Sequence, residues 1–180
     1  MTGVPVFGSR IAGCPYIERP SAYAVLRNAS GCFALIRTPR GFYLPGGGIE
    51  ASETPEQAIQ REAMEEAGLI VESRALVGKA IEIVYSPEEN ACFEKRCVFM
   101  EAEVVGQIPS HEGDHELIWV DFDHAIGMLS RSSEFYQLLR APANRESRFH
   151  GLATVTAPDF DKIAGHDQFH YMLLSSSRHP

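Results

Sequence analysis

The chain has 180 residues, 44% of them hydrophobic, and a formal net charge of −8. That length suits one domain with a sizeable core plus an extension, and the acidity argues against general DNA or RNA binding, which needs clustered Lys and Arg to release counterions. No apolar run reaches transmembrane length, and the opening MTGVPVFGSR lacks the stretch a signal peptide requires. A cytoplasmic protein with no membrane or nucleic-acid partner is therefore expected. The cysteines, Cys14, Cys32, Cys92 and Cys97, show neither a C-x-x-C pair nor zinc spacing, so reduced thiols are expected, some of them in the core.

Residues 1–20 contain Val4, Val6, Phe7, Ile11 and Tyr16, too apolar for a free arm, and predict a strand or hairpin. Residues 21–27 and 31–37 read as strands around the turn Asn28-Ala29-Ser30-Gly31. Gly41 to Leu44 is a short strand delivering the glycine-rich loop Pro45-Gly46-Gly47-Gly48, a type of segment that lets backbone groups approach a phosphate or metal closely. A helix follows, with Thr54 as N-cap, Pro55 at its first position, Gln57 closing a capping box and Gly68 ending it in a left-handed conformation. Residues 74–85 and 92–105 predict longer strands, the second alternating around Phe93, Val98 and Met100. Residues 117–120 are a further strand, and residues 122–140 end in an amphipathic helix. Ala141-Pro142-Ala143-Asn144 reads as a boundary, which gives a domain over 1–140 and a loosely packed extension over 141–180. Within that extension Gly151 to Val155 is a strand candidate. His166 and His170 are spaced i,i+4, but two histidines without a third ligand are a weak metal signal.

The capped helix carries the chemistry. At about 100° per residue, Glu62, Glu65 and Glu66 fall in one sector together with Ala58, Ile59 and Ala63, while Gln57, Gln60, Arg61 and Met64 lie opposite. An ordinary amphipathic helix places charge opposite its small apolar residues. Like charges at i,i+3 and i,i+4 repel by roughly 0.2–0.5 kcal/mol per pair, and facing them inward adds a desolvation cost. A multivalent cation removes both penalties, so the helix reads as one wall of a metal site. A solvated acidic face is the ordinary explanation of clustered glutamates, and the inward sector argues against it.

The spacing Gly47-x5-Glu53-x7-Arg61-Glu62-Ala63-x-Glu65-Glu66-x-Gly68-Leu69 resembles the signature of the Nudix hydrolases. Every fixed position is matched, and Ala63 stands where the family prefers a larger aliphatic residue. Looser resemblance, through Arg37 to Pro45 and Glu116 to Val120, extends over roughly residues 20–140. The resemblance implies a Nudix-type α/β/α sandwich with a mixed central sheet, in agreement with strands on both sides of one helix and a later helix.

It also implies roles. Glu62, Glu65 and Glu66, with the carbonyl of Gly46, would hold one to three Mg2+ or Mn2+ ions, since oxygen ligands suit hard cations. Glu53 and Arg61 would form a structural ion pair, with Arg61 offsetting the repulsion among the carboxylates; Gly47 and Gly68 would be backbone devices. The general base lies either in the glutamate cluster, with Glu65 and Glu62 as candidates, or in the loop His111 to Glu116. In that loop Glu112 ranks ahead of Glu116, and a solvated loop charge explains either one equally well. Arg37 and Arg40, like the backbone at Gly47, are candidates for binding substrate phosphates, with surface solvation the equal alternative for the two arginines. Tyr23, Phe33, Phe42 and Tyr43 are candidate stacking residues, although aromatic strand residues are more often core.

The expected activity is hydrolysis of the diphosphate linkage in a nucleoside diphosphate joined to a group X, a small-molecule substrate entering with its bridging cations. Two alternatives stay open. One is a pyrophosphohydrolase that clears oxidised deoxynucleoside triphosphates, and the other is a non-catalytic nucleotide-sensing module, which would be expected to lose signature carboxylates that this chain keeps. A homodimer through the N-terminal segment or the tail is a further open expectation.

Overall fold

The computed structural model describes residues 3–109 and 113–141. Among these, the elements in chain order are β1 (Val6–Phe7), β2 (Tyr16–Leu26), β3 (Phe33–Thr38), β4 (Gly41–Tyr43), β5 (Gly46–Gly48), α1 (Pro55–Ala67), β6 (Leu69–Ser86), β7 (Ala91–Gln107), β8 (Glu116–Val120), α2 (Phe122–Met128) and α3 (Ser132–Arg140). The predicted strand at Gly151 to Val155, the pair His166 and His170 and the extension beyond Ala141 lie outside the described residues.

Five strands form a mixed sheet in the order β1-β6-β7-β2-β5, and three form a smaller antiparallel sheet, β4-β3-β8. In the larger sheet β2 runs parallel to β7 along its whole length, while β6 and β7 form a long antiparallel hairpin. Alternation along β2 divides the core. Ala22, Ala24 and Leu26 join Ala58, Ile59 and Ala63 of α1 on one face, and Tyr23 and Val25 join Phe99, Phe135 and Leu138 on the other. Helices cover both faces, which gives the α/β sandwich.

Three local expectations change. The turn at Asn28 forms, its Oδ1 accepting from the backbone of Ser30 and Cys32 at 3.0 Å each, but it passes the chain from one sheet to the other and leaves only a bridge between Arg27 and Phe33. The glycine-rich segment is a strand, with Gly46, Gly47 and Gly48 paired to Tyr23, Ala22 and Ser21. Phe93 shares its face with Lys95, Cys97 and Phe99; Val98 and Met100 point to the opposite face, because side chains alternate strictly along a strand. Residues 122–140 do end in an amphipathic helix, α3, with the shorter α2 ahead of it and Leu129 to Arg131 between them.

The cysteine expectation also changes for two residues. Cys14, just before β2, is disulfide-bonded to Cys92 near the start of β7, while Cys32 and Cys97 are free thiols. The bond ties the N-terminal segment to the β6–β7 hairpin.

Candidate functional site

The site is built on the start and the inner flank of α1. Thr54 caps the helix reciprocally: its Oγ1 accepts from the Gln57 amide at 3.3 Å, and its own amide donates to Gln57 Oε1 at 2.8 Å. Gly68 closes the helix with φ +65, its amide donating to Met64 at 3.0 Å. Ala58, Ile59, Ala63 and Ala67 are buried against the sheet, and the glutamates sit beside them half-buried, while Gln57, Gln60 and Met64 face solvent.

Arg61, expected on the outer side, turns to the carboxylates. Its guanidinium donates to Glu53 at 2.8 and 3.1 Å, to the Gly48 carbonyl at 2.9 Å and to Glu65 at 3.1 Å, and lies 3.0 Å from Glu62. These hydrogen bonds, Glu53 first, hold the Arg61 pKa well above its ordinary value, and Arg61 in turn holds the Glu53 carboxyl below the usual range. One cation thus ties the loop, β5 and the helix together.

The glycines explain why the strand lies so close. Gly46 has φ +138, and a Cβ there would lie 2.2 Å from the Ala22 carbonyl oxygen and 2.7 Å from Tyr23 Cα. A Cβ on Gly47 would lie 2.5 Å from Glu62 Oε1, in space the carboxylate fills. The Gly46 amide donates to Glu66 Oε2 at 3.0 Å. In this arrangement Glu62 and Glu65 gather around Arg61, and Glu66 hangs from β5. Among the described residues no three Asp, Glu, His or Cys side chains converge tightly enough to hold an ion.

Beside β5 opens a cleft of about 720 Å³, a volume in the range of small-molecule sites. Its wall can be followed by contact. Glu66 and Gly46 lead to Tyr23, whose hydroxyl accepts from Arg131 at 2.7 Å, and Arg131 lies 3.9 Å from the buried carboxylate of Glu82. Lys95 and Arg19 line the same cleft. They stand in one row across three strands, Arg19 beside Lys95 and Lys95 opposite Glu82. The rim carries two ion pairs from the hairpin tip, Arg40 to Glu88 at 2.8 Å and Arg19 to Glu89 at 2.7 Å.

Of the expected phosphate-binding residues, Arg40 and Gly47 line this cleft and Arg37 does not. Arg37 is ion-paired with Glu116, its register partner on β8, which also takes Glu116 away from the cleft. Glu112 lies outside the described residues. Of the stacking candidates, Tyr23 is buried and stacked on Phe99, and Phe33 packs on Phe122 in the core. Phe42 packs against the same core, and Tyr43 lines the cleft beneath the Arg131 guanidinium.

Glu82, Lys95, Arg131 and Glu134 are absent from the sequence-based expectations. Glu134 is fully buried and accepts from the Leu44 amide at 2.8 Å, just ahead of the glycine strand. Burial raises its carboxyl pKa to about 8 against the pull of Arg131. A signal existed in the alternation: Glu82 stands between Ala80 and Val84, and Lys95 between Phe93 and Cys97, so each is a charge at a core-facing strand position.

Comparison with solved structures finds the same fold at low identity. A NUDIX hydrolase from Nitrosomonas europaea is 20% identical with a TM-score of 0.55, covering 68% of this chain and 86% of its own. A MutT protein from Methanosarcina mazei is 22% identical with a TM-score of 0.51, covering 68% and 91%. An ADP-ribose pyrophosphatase from Streptococcus suis is 18% identical with a TM-score of 0.51, covering 72% and 94%. Comparison with curated proteins finds no match. The family model of the NUDIX domain matches residues 17–139, the stretch that holds β2 through α3 with the α1 signature at its centre, and the chain belongs to the Nudix hydrolase family.

Proposed function

We propose that this chain is a Mg2+- or Mn2+-dependent hydrolase that splits the diphosphate linkage of a nucleoside diphosphate joined to X, releasing a nucleoside monophosphate and phosphorylated X. The observation that carries this reading is the junction of β5 and α1. There Glu62 and Glu65 gather around Arg61, Glu66 accepts from the Gly46 amide, and Gly47 leaves the space that the Glu62 carboxylate fills, beside a nucleotide-sized cleft. The names of the NUDIX hydrolase and ADP-ribose pyrophosphatase of the same fold support it.

The donors present suit a hard cation in kind, and to converge on one Glu62 and Glu65 would have to turn from Arg61 toward Glu66. All side-chain donors are carboxylate oxygens, and Gly47 leaves the space in which Glu62 reaches the strand. Glu62, Glu65, Glu66 and the Gly46 carbonyl would hold the metal, which when bound supplies charge neutralisation for the diphosphate and a more acidic water. Glu65 has 44% of its side chain exposed against 17% for Glu62 and is the better placed of the two to take the proton of the attacking water. The water oxygen bonds to one phosphorus as the bridging P–O bond breaks, and the bridging oxygen leaves with the other phosphate. Arg61 holds the glutamates in register, and Arg40 at the rim would meet the substrate phosphates.

The test is a screen of nucleoside diphosphate derivatives and deoxynucleoside triphosphates with magnesium, monitoring monophosphate or phosphate release, with Glu66→Gln as the blank. Turnover confined to oxidised deoxynucleoside triphosphates would move the reading to pool clearance. Tight binding without turnover of any compound would make the chain a sensor.

A further inference from the structure

The inner part of the cleft holds a charge pattern that hydrolysis of a diphosphate does not use. Glu82 is 5% exposed and lines the cleft; Ser133 of α3 bonds its carboxylate, yet its Oε2 has no hydrogen-bond partner, the guanidinium nitrogen Arg131 Nη1 lying 3.9 Å away. Burying a carboxylate oxygen without a donor is unfavourable, and a ligand N–H in the cleft would supply the missing bond. Lys95 stands directly opposite Glu82 in the strand register, so its ammonium and the Arg131 guanidinium flank the same carboxylate. Burial lowers Lys95 to about 8, which leaves it largely protonated at neutral pH.

Flat surfaces border this group. The Arg19 guanidinium lies 3.8 Å from the centre of the Phe93 ring, and the Tyr43 ring faces the cleft beneath Arg131. Planar walls suit a planar heterocycle, which stacks on aromatic and guanidinium faces alike. The polar groups then ask for one N–H donor beside an acceptor able to meet two cations. A carbonyl oxygen has two lone pairs for that purpose and a ring nitrogen has one.

We propose that Glu82, Lys95 and Arg131 form the base-recognition end of the cleft and select nucleobases with a lactam edge, guanine or uracil, over adenine and cytosine. Glu82 Oε2 accepts from the ring N–H, and Lys95 and Arg131 donate to the adjacent carbonyl. The inference rests on the cleft being the substrate site of the proposed hydrolase. It assigns specificity to residues outside the α1 signature.

Binding of guanosine, uridine, adenosine and cytidine 5′-monophosphates to the full chain, measured by calorimetry without metal, tests it apart from hydrolysis. The expected result is at least about tenfold tighter binding of the guanosine and uridine nucleotides, with the preference abolished in Glu82→Met, which removes the acceptor, and in Lys95→Met. Thermal unfolding of each variant is recorded alongside, and a folded Lys95→Met decides the matter if Glu82→Met does not fold. Equal affinity for all four nucleotides, no binding of any, or a preference that survives in a folded variant overturns the proposal. Base selectivity without turnover of any diphosphate would sink the hydrolase reading and leave this assignment standing. Turnover with no base selectivity would do the reverse.

Discussion

Arg61 grips both carboxylate oxygens of Glu53, through Nε at 2.8 Å and Nη2 at 3.1 Å, and with the same nitrogen holds the Gly48 carbonyl at 2.9 Å. The planar fork of a guanidinium makes this three-way clamp, and an ammonium cannot reproduce it. Arg61→Lys should lower kcat/KM by roughly 10²-fold through misplacement of Glu62 and Glu65, with a reduced melting temperature. Steady-state kinetics and a thermal melt check this, and an unchanged kcat/KM would remove Arg61 from its positioning role.

Three consecutive glycines should respond to alanine in three different ways. At Gly48 an added methyl meets nothing within 4 Å, so Gly48→Ala should be nearly neutral. At Gly47 it meets the Glu62 carboxylate, so Gly47→Ala should keep its fold and lose roughly 10²-fold in kcat. At Gly46 it meets the backbone of Ala22 and Tyr23 at a positive φ, so Gly46→Ala should lose about 1–3 kcal/mol of stability. Denaturant midpoints and turnover for the three variants separate these outcomes.

The buried acid at Glu134 gives a pH signature. Its folded pKa of about 8 lies above the ordinary carboxylate value, so the folded state binds the extra proton. The stability it contributes is complete below about pH 4.5 and is lost as pH rises toward 8, with a slope of at most about 1.4 kcal/mol per unit. Glu82 is raised in the same direction. Glu134→Gln keeps an acceptor for the Leu44 amide and should flatten the decline between pH 5 and 8. Urea unfolding across that range measures the slope, and identical slopes in both proteins would contradict a protonated Glu134.

Cys14 and Cys92 are 78 residues apart, so the bond between them closes a long loop. Its loss should cost roughly 2–4 kcal/mol. Alkylation after denaturation without reductant should label two thiols, Cys32 and Cys97, and reduction should raise this to four and lower the unfolding midpoint. The comparison is made on protein oxidised in vitro and on the same protein after reduction.

What the sequence revealed was local. Thr54, Pro55, Gln57 and Gly68 specify α1 through contacts within a few residues, and the glutamate sector follows from helix geometry alone. What escaped depended on partners far away in the chain. Gly46 to Gly48 read as a loop because glycine carries no strand preference; pairing with Ser21 to Tyr23 makes them a strand. Arg61 was placed opposite the glutamates by its helical angle, but a side chain long enough to swing round reaches them. The row of Arg19, Lys95 and Glu82 exists only once β2, β7 and β6 are in register, and no window of the sequence contains all three residues.

The parallel pairing of β2 with β7 sets an order of events during synthesis. Tyr16 must wait for Cys92, and Leu26 for Ala102, before the middle of the larger sheet can close. Until then α1 has emerged from the ribosome without the full surface it packs on, and the apolar run from Ala22 to Leu26 is unsheltered. Such distant partnerships slow folding and leave nascent chains prone to aggregate, so yield in a host cell should depend on how well chaperones shield that early segment.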